Sequence, residues 1–327
     1  MSVWLAVLLF CVGLVLLIKG GDWFVDGASS LAYRFHIPEI LIGATVVSIG
    51  TTLPEVMVSS TAAVQGLGAM AYGNAVGSVI CNTSLIAALT MAVRPGKVKK
   101  NALYVPLAFF FGAAAFYAVN AYVFKNFSRV SGIILLCGFV AYMALSVWQA
   151  FHPSADAAEE DGDGEEAAKD MPLWKSLVLL VVGAAAIAVG AKLLVDNGTI
   201  IAAALGVPDS VIALTFVALG TSLPELVTAI TSLVKGHSSL SVGNVIGANL
   251  FNLVLVSGLS VTLSPFELPA EKTVAGMNAS LVVDMPLMFA VMGIMSIPAL
   301  IKGKLSRWQG ILLLAMYAAY CVFQFAV

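Results

Sequence analysis

Two glutamates stand in apolar surroundings, each directly behind a proline. Glu55 ends the stretch Gly50-Thr51-Thr52-Leu53-Pro54-Glu55, and Glu225 ends Gly220-Thr221-Ser222-Leu223-Pro224-Glu225; both stretches lie inside long apolar runs. The second copy follows the first by 170 positions (220 less 50). The same offset relates Gly73-Asn74 to Gly243-Asn244, Gly77 to Gly247 and Asn82 to Asn252. Proline has no N–H and its ring clashes with the carbonyl four residues back, so Pro54 frees the carbonyl of Gly50 and Pro224 that of Gly220. At membrane depth a freed carbonyl persists only where it lines a cavity or binds something, and an ionisable side chain there marks a functional site. Two such breaks at one spacing read as a single ion site assembled from two halves of the chain.

The donor types narrow the ion. Around each break lie hydroxyls (Ser48, Thr51 and Thr52; Thr221 and Ser222) and one carboxylate. Asn82 and Asn252 stand about one helical turn beyond Gly77-Ser78 and Gly247-Ala248. Carbonyl, hydroxyl and carboxylate oxygens are hard ligands that suit sodium and calcium rather than zinc or copper. Ionised, the two carboxylates carry two negative charges. One Ca2+ or two Na+ would neutralise them, a third Na+ would leave the site positive, and protons could also discharge them. A site that must be neutralised before it crosses the bilayer couples counter-transported ions, which is the property of an exchanger rather than of an open pore. The competing reading makes each glutamate a protonated, hydrogen-bonded carboxyl in a bundle core. In that reading the asparagines are helix–helix glue, and Gly73, Gly77, Gly243 and Gly247 are packing faces of small residues.

The elements that must hold this site are membrane helices. Of 327 residues 60% are hydrophobic and 10% charged, more apolar surface than a water-soluble fold of this length can hide, and apolar runs of about 18 residues or more recur throughout. Ten spans are predicted, at 3–21, 38–64, 70–93, 103–123, 129–151, 174–195, 208–234, 240–264, 285–302 and 307–326. Spans two and seven exceed what the hydrocarbon core needs, as helices broken in the middle would. The repeat reaches past the signature: Trp4 matches Trp174, Gly13 matches Gly183, Gly20 matches Gly190, Asp26 matches Asp196 and Pro38 matches Pro208. Pro106-Leu107 matches Pro286-Leu287 at an offset of 180, so ten residues are inserted around Phe266 to Thr273. Each half then holds five spans, an odd number, and the second half must enter the membrane upside down. The expected fold is therefore an all-α membrane protein of ten transmembrane helices in two inverted-topology five-helix repeats, residues 1–151 and 173–327, with helices two and seven broken.

Between the repeats, residues 152–172 hold eight acids from Asp156 to Asp170 and read as a solvated linker. The first apolar run lacks a positive n-region and a cleavage site and shares in the repeat, so it is read as a membrane helix rather than a signal peptide. With the N-terminus outside, the inside loops, counted from Lys19 to Arg307, hold twelve Lys and Arg; the outside loops hold four, Lys125, Arg129, Lys192 and Lys272. That asymmetry puts both termini outside and the acidic linker in the cytoplasm. Cys11, Cys81, Cys137 and Cys321 show no paired spacing and His36, His152 and His237 lie far apart, so neither a disulfide nor a zinc or haem site is expected. Asp284, before Met285-Pro286, reads as a helix cap, and Asp26 and Asp196 as interfacial caps or ion-pair partners.

These motifs resemble the cation/calcium antiporter superfamily, most closely its prokaryotic sodium/calcium exchangers, and the resemblance covers nearly the whole chain. It implies exchange of Ca2+ for Na+ by alternating access, with those ions as substrates and the lipid bilayer as surroundings, and without a cofactor, nucleic acid or obligate protein partner. It implies calcium held by Thr51, Glu55, Thr221 and Glu225. Flanking sodium sites would be built from carbonyls near Ser48 and Ala218 with the side chains of Thr52, Ser222 and Ser78, and Asn82 and Asn252 would complete the centre. It also implies that spans one and six slide against a core of spans two, three, seven and eight. Two departures stand out. Ala248 occupies the place that matches Ser78, where a hydroxyl is usual, and takes a ligand from one sodium site; and Asn82 and Asn252 bring no acid where potassium-dependent relatives carry Asp, so no potassium requirement is expected. Neither Gly73-Asn74 nor Gly243-Asn244 is followed by the Glu that proton/calcium exchangers carry three residues after the Asn, which favours sodium over protons. Proton-coupled antiport and a cation channel remain the alternatives. An intramembrane enzyme finds no support: there is no His-Glu-x-x-His, no Gly-x-Gly-Asp and no nucleophile–base pair. The small size, without a large cytoplasmic regulatory domain, points to a prokaryotic plasma membrane, the inner membrane of a bacterium.

Overall fold

The computed structural model describes residues 2–152, 171–205, 220–270 and 273–326, with side chains to Gln324. Among them run ten helices: α1 Val3–Phe35, α2 Glu39–Val64, α3 Gly68–Val93, α4 Lys100–Phe124, α5 Arg129–Phe151, α6 Leu173–Ala204, α7 Leu223–Val234, α8 Ser238–Leu263, α9 Ser280–Lys302 and α10 Arg307–Ala326. α1–α6, α8 and α9 are long and apolar enough to cross a membrane. Residues 153–170 of the acidic linker and 208–219 of span seven, Ala218 included, lie outside the described residues.

α1 and α6 overrun the spans expected for them, which stop at residues 21 and 195, because the charges beyond those points are partnered. Lys235, at the end of α7, lies 3.5 Å from Asp22 and 2.7 Å from Asp26, and Lys192 reaches Asp196 one turn along α6 at 2.9 Å. Lys19 and Lys192 therefore sit within helices and not in the loops where the charge count put them. α1 ends at His36, whose φ of 54° turns the chain out of the helix.

The two long helices lie antiparallel, backbone against backbone. Gly13 faces Gly190 and Gly20 faces Gly183, and a Cβ on Gly183 would stand 2.6 Å from the Phe24 nitrogen and 2.9 Å from the Gly20 oxygen. Gly13 and Gly183 are repeat mates, as are Gly20 and Gly190, so the crossing maps onto itself when the halves are exchanged. Antiparallel mates are what an inverted repeat requires. This pair packs by its own apolar cluster (Leu17, Phe24, Leu180, Ile187) against Ile42, Val47 and Leu240, apart from the main core, in which α3 and α8 are the most deeply buried helices.

The loops sort onto two ends. At one end Val98 donates to the Gly303 carbonyl (3.0 Å), Leu305 to that of Gly96 (2.8 Å) and Arg94 to that of Leu233 (3.1 Å), while His237 meets Glu39 at 2.6 Å. At the other end β1 (Asn126–Phe127) pairs with β2 (Phe266–Glu267), and β3 (Thr273–Val274) with β4 (Met277–Asn278). The inserted residues of the second repeat thus form short strands, one of which ties the two halves together. Asp284 does not cap α9. It lies inside a wide turn, Ser280–Asp284, with helical backbone, and accepts from Tyr320 (3.1 Å) and Gln324 (3.4 Å) of α10.

The interruptions of the site-bearing helices take two forms. α7 starts afresh: Ser222 has non-helical φ and ψ of −87° and 4°, and Pro224 stands in the first turn, where its missing N–H costs no hydrogen bond. α2 instead continues through Pro54 and widens two to three turns earlier into a π-helical segment, Gly43–Val47. The carbonyls around it are satisfied by side chains: Leu41 by Thr45 (2.7 Å), Gly43 by Ser48 (2.7 Å) and Ala44 by Tyr142 of α5 (3.0 Å). Without water, such partners are what make irregular backbone tolerable.

Candidate ion-binding site

α3 and α8 each widen into a π turn that begins at the matched asparagine, Asn82–Ala87 and Asn252–Ser257. A π turn displaces carbonyls from the helical ladder, and neighbouring hydroxyls take up several: Thr83 donates to Val79 (2.8 Å), Ser84 to Ile80, and Ser257 to the Asn252 carbonyl (3.0 Å). The asparagine side chains are not used in this way. Both atoms of both amides are buried without a partner among the described residues.

Glu55 and Glu225 are fully buried, and none of their four carboxylate oxygens has a hydrogen-bond partner among the described residues. Glu55 faces Glu225 and Thr221, and Glu225 faces Thr51 and Thr52, so each carboxylate looks across at the Gly-Thr stretch of the opposite repeat. Thr52 and Ser222 are buried, their hydroxyls also without a hydrogen-bond partner among the described residues. Ser222 and Glu225 have the spacing of a reciprocal helix-capping pair, yet no side chain caps α7. Their oxygens are left for something else. An orphaned buried oxygen costs roughly 1–3 kcal/mol, and an uncompensated charge more, so a cluster of them from both repeats is a candidate for cation binding. Among the described residues no third His, Cys, Asp or Glu joins the pair. Two carboxylates with hydroxyl and amide oxygens suit a hard cation.

Ser78 and its mate Ala248 are both buried. Ser48 donates its hydroxyl to the Gly43 carbonyl (2.7 Å) and approaches Asn244, while its own carbonyl accepts from Thr51 (3.4 Å). Ten of the eleven sequence-predicted residues are thus described: Ser48, Thr51, Thr52, Glu55, Ser78, Asn82, Thr221, Ser222, Glu225 and Asn252 all lie on α2, α3, α8 or the turn that opens α7.

Two residues of the site escape the sequence argument. Thr51 Oγ1 lies 3.2 Å from Asn244 Oδ1, and Thr221 Oγ1 lies 3.4 Å from Asn74 Oδ1. These are one contact seen twice, because 51 and 221, like 74 and 244, are repeat mates. The recurrence of Gly-Asn at offset 170 was the available signal, and on its own it reads as helix packing.

Comparison with known proteins agrees with this architecture. The sequence model of the family described as sodium/calcium exchanger protein matches residues 5–148 and 175–326, one stretch in each half. The sodium/calcium exchanger MaX1 of Methanosarcina acetivorans is 33% identical over 355 residues, covering 98% of both chains. The inner membrane protein YrbG of Escherichia coli is 37% identical over 275 residues, covering 81% of this chain and 82% of that one. Among solved structures, the sodium-calcium exchanger NCX_Mj soaked with Na+ and Sr2+ superposes with a TM-score of 0.81 at 34% identity, covering 97% of this chain and 98% of that one. With both halves matched, the inverted pair of five-helix repeats present and a carboxylate from each meeting in its middle, this multi-pass membrane protein belongs to the sodium/calcium exchanger family.

Proposed function

We propose that the chain exchanges Ca2+ for Na+ across a bacterial-type inner membrane by alternating access. The observation that carries this reading is the meeting of Glu55 and Glu225, both buried and without a hydrogen-bond partner among the described residues, beside hydroxyl and amide oxygens from both repeats. Two negative charges match one Ca2+ or two Na+, so the same centre can accept either load but not both at once. MaX1 and NCX_Mj, which carry sodium and calcium in their names, support sodium as the partner ion.

In this reading Thr51, Glu55, Thr221 and Glu225 hold Ca2+. Thr52, Ser78 and Ser222, with backbone near Ser48 and Ala218, serve Na+, and Asn82 and Asn252 lie between. Residues 1–151 and 173–327 act as the two repeats, joined by a cytoplasmic linker at 152–172. The basic end of the bundle, with Arg94, Lys97, Lys100, Lys302 and Lys304, faces the cytoplasm, and both termini lie outside. YrbG's inner-membrane description supports the location.

One observation favours a second reading. Ala248 brings no oxygen where Ser78 brings a hydroxyl in the other half, so one sodium position is short of a ligand and protons become the competing coupling ion. The deciding experiment is 45Ca2+ uptake by reconstituted protein under an outward Na+ gradient or an outward proton gradient. Uptake driven by Na+ and indifferent to a pH jump supports sodium exchange; uptake driven only by the proton gradient overturns it.

A further inference from the structure

The Thr–Asn contacts across the pseudo-twofold admit only one hydrogen-bond pattern on one side. Asn74 Nδ2 sits 2.7 Å from Ser59 Oγ and 3.3 Å from the Glu55 carbonyl. A carbonyl only accepts, so the NH2 group must face it and Oδ1 must face Thr221. Oδ1 in turn only accepts, so the single hydroxyl hydrogen of Thr221 is committed to Asn74. A hydroxyl whose hydrogen points away offers only lone pairs in the remaining directions, in keeping with the neighbouring Glu55 carboxylate oxygens, which have no hydrogen-bond partner among the described residues.

Asn244 makes the mate contact to Thr51, and its Oδ1 also lies 3.3 Å from Ser48 Oγ. Its Nδ2, however, is buried without a partner among the described residues, and the residue that matches Ser59 is Ala229. The clamp on α7's break, made by Asn74, is therefore anchored to α2, while the clamp on α2 is not anchored to α7.

We infer that Asn74 is a positioning residue of the ion site, holding Thr221 of the opposite repeat with its hydroxyl hydrogen turned away from the glutamates, so that the threonine presents lone pairs to a cation. This rests on reading the Glu55–Glu225 centre as that site. The two asparagines also tie each glutamate-bearing segment to the other repeat.

The test is a double-variant cycle on purified full-length protein, read as 45Ca2+ equilibrium binding. Asn74→Ala and Thr221→Val should each weaken binding about tenfold, the size of one committed hydrogen bond. The double variant should be no more than about twofold weaker than either, because both remove the same bond. Thr221→Ser, which keeps the hydroxyl and the fold, should bind within about twofold of wild type. In proteoliposomes the apparent KM for Ca2+ should rise in parallel while the maximal rate stays within about twofold; a merely structural asparagine would lower the rate instead. Independent, multiplying effects of Asn74→Ala and Thr221→Val overturn the inference. Binding that survives unchanged in Glu225→Gln overturns instead the site reading on which it rests.

Discussion

Replacing Glu225 by glutamine separates the fold of this protein from its ion load. Both carboxylates are fully buried with no hydrogen-bond partner among the described residues, and each faces the other. Without a cation the pair is a burden on the folded state, so Glu225→Gln, which keeps the volume and removes one charge, should leave the thermal stability of the ion-free protein unchanged or raise it. The effect of Ca2+ should move the other way. At a concentration one hundred times its Kd, an ion that binds only the folded state stabilises it by about 2.7 kcal/mol. Removing one partner of a buried charge pairing costs about 3–5 kcal/mol, at least about a hundredfold in affinity. At the same Ca2+ concentration the variant then keeps at most about 0.4 kcal/mol of that stabilisation. For a chain of this size the difference is roughly 5 °C against less than about 1 °C. A thermal scan of detergent-purified protein by tryptophan fluorescence, with and without Ca2+, reads both quantities. A Ca2+-dependent shift in Glu225→Gln as large as in wild type would refute the reasoning, as would a marked loss of stability in the ion-free variant.

The glycine crossing of α1 and α6 predicts that Gly183→Ala lowers thermal stability by about 2 kcal/mol, since its Cβ would meet Phe24 and Gly20 backbone at 2.6–2.9 Å; Gly112→Ala, which meets nothing within 4 Å, is the control and should not destabilise. With no acid at Asn82 or Asn252, replacing choline by K+ should leave Ca2+ uptake by proteoliposomes unchanged, and strong stimulation would count against the site as drawn. For orientation, a cysteine at Asn126, in a cysteine-free background, should react with an impermeant maleimide in intact cells and one at Ser306 should not; the reverse pattern would invert the topology.

How much of this was legible in the chain follows from the duplication. One glutamate behind a proline is ambiguous, but Glu55 and Glu225 at an offset shared by Asn82 and Asn252 single out a site, and the odd number of spans per half dictates inversion. The extent of α1 and α6 was hidden because Asp22, Asp26 and Lys192 look like loop residues until Lys235 and Asp196 are seen beside them. The part played by Asn74 was hidden for a related reason. Its partner Thr221 lies 147 positions away in the other repeat, and internal periodicity relates mates to each other, not to the residues they touch. The π turns at Asn82 and Asn252 follow from hydroxyls that bond back to the helix, which composition alone does not distinguish from ordinary polar residues on a packed face.

The most direct test of the central claim is 45Ca2+ uptake into Na+-loaded proteoliposomes holding wild-type protein, Glu55→Gln or Glu225→Gln. The paired-carboxylate account predicts uptake in the wild type that collapses when the outward Na+ gradient is removed, and none above background in either variant. Wild-type rates in either variant would show that the ions cross elsewhere.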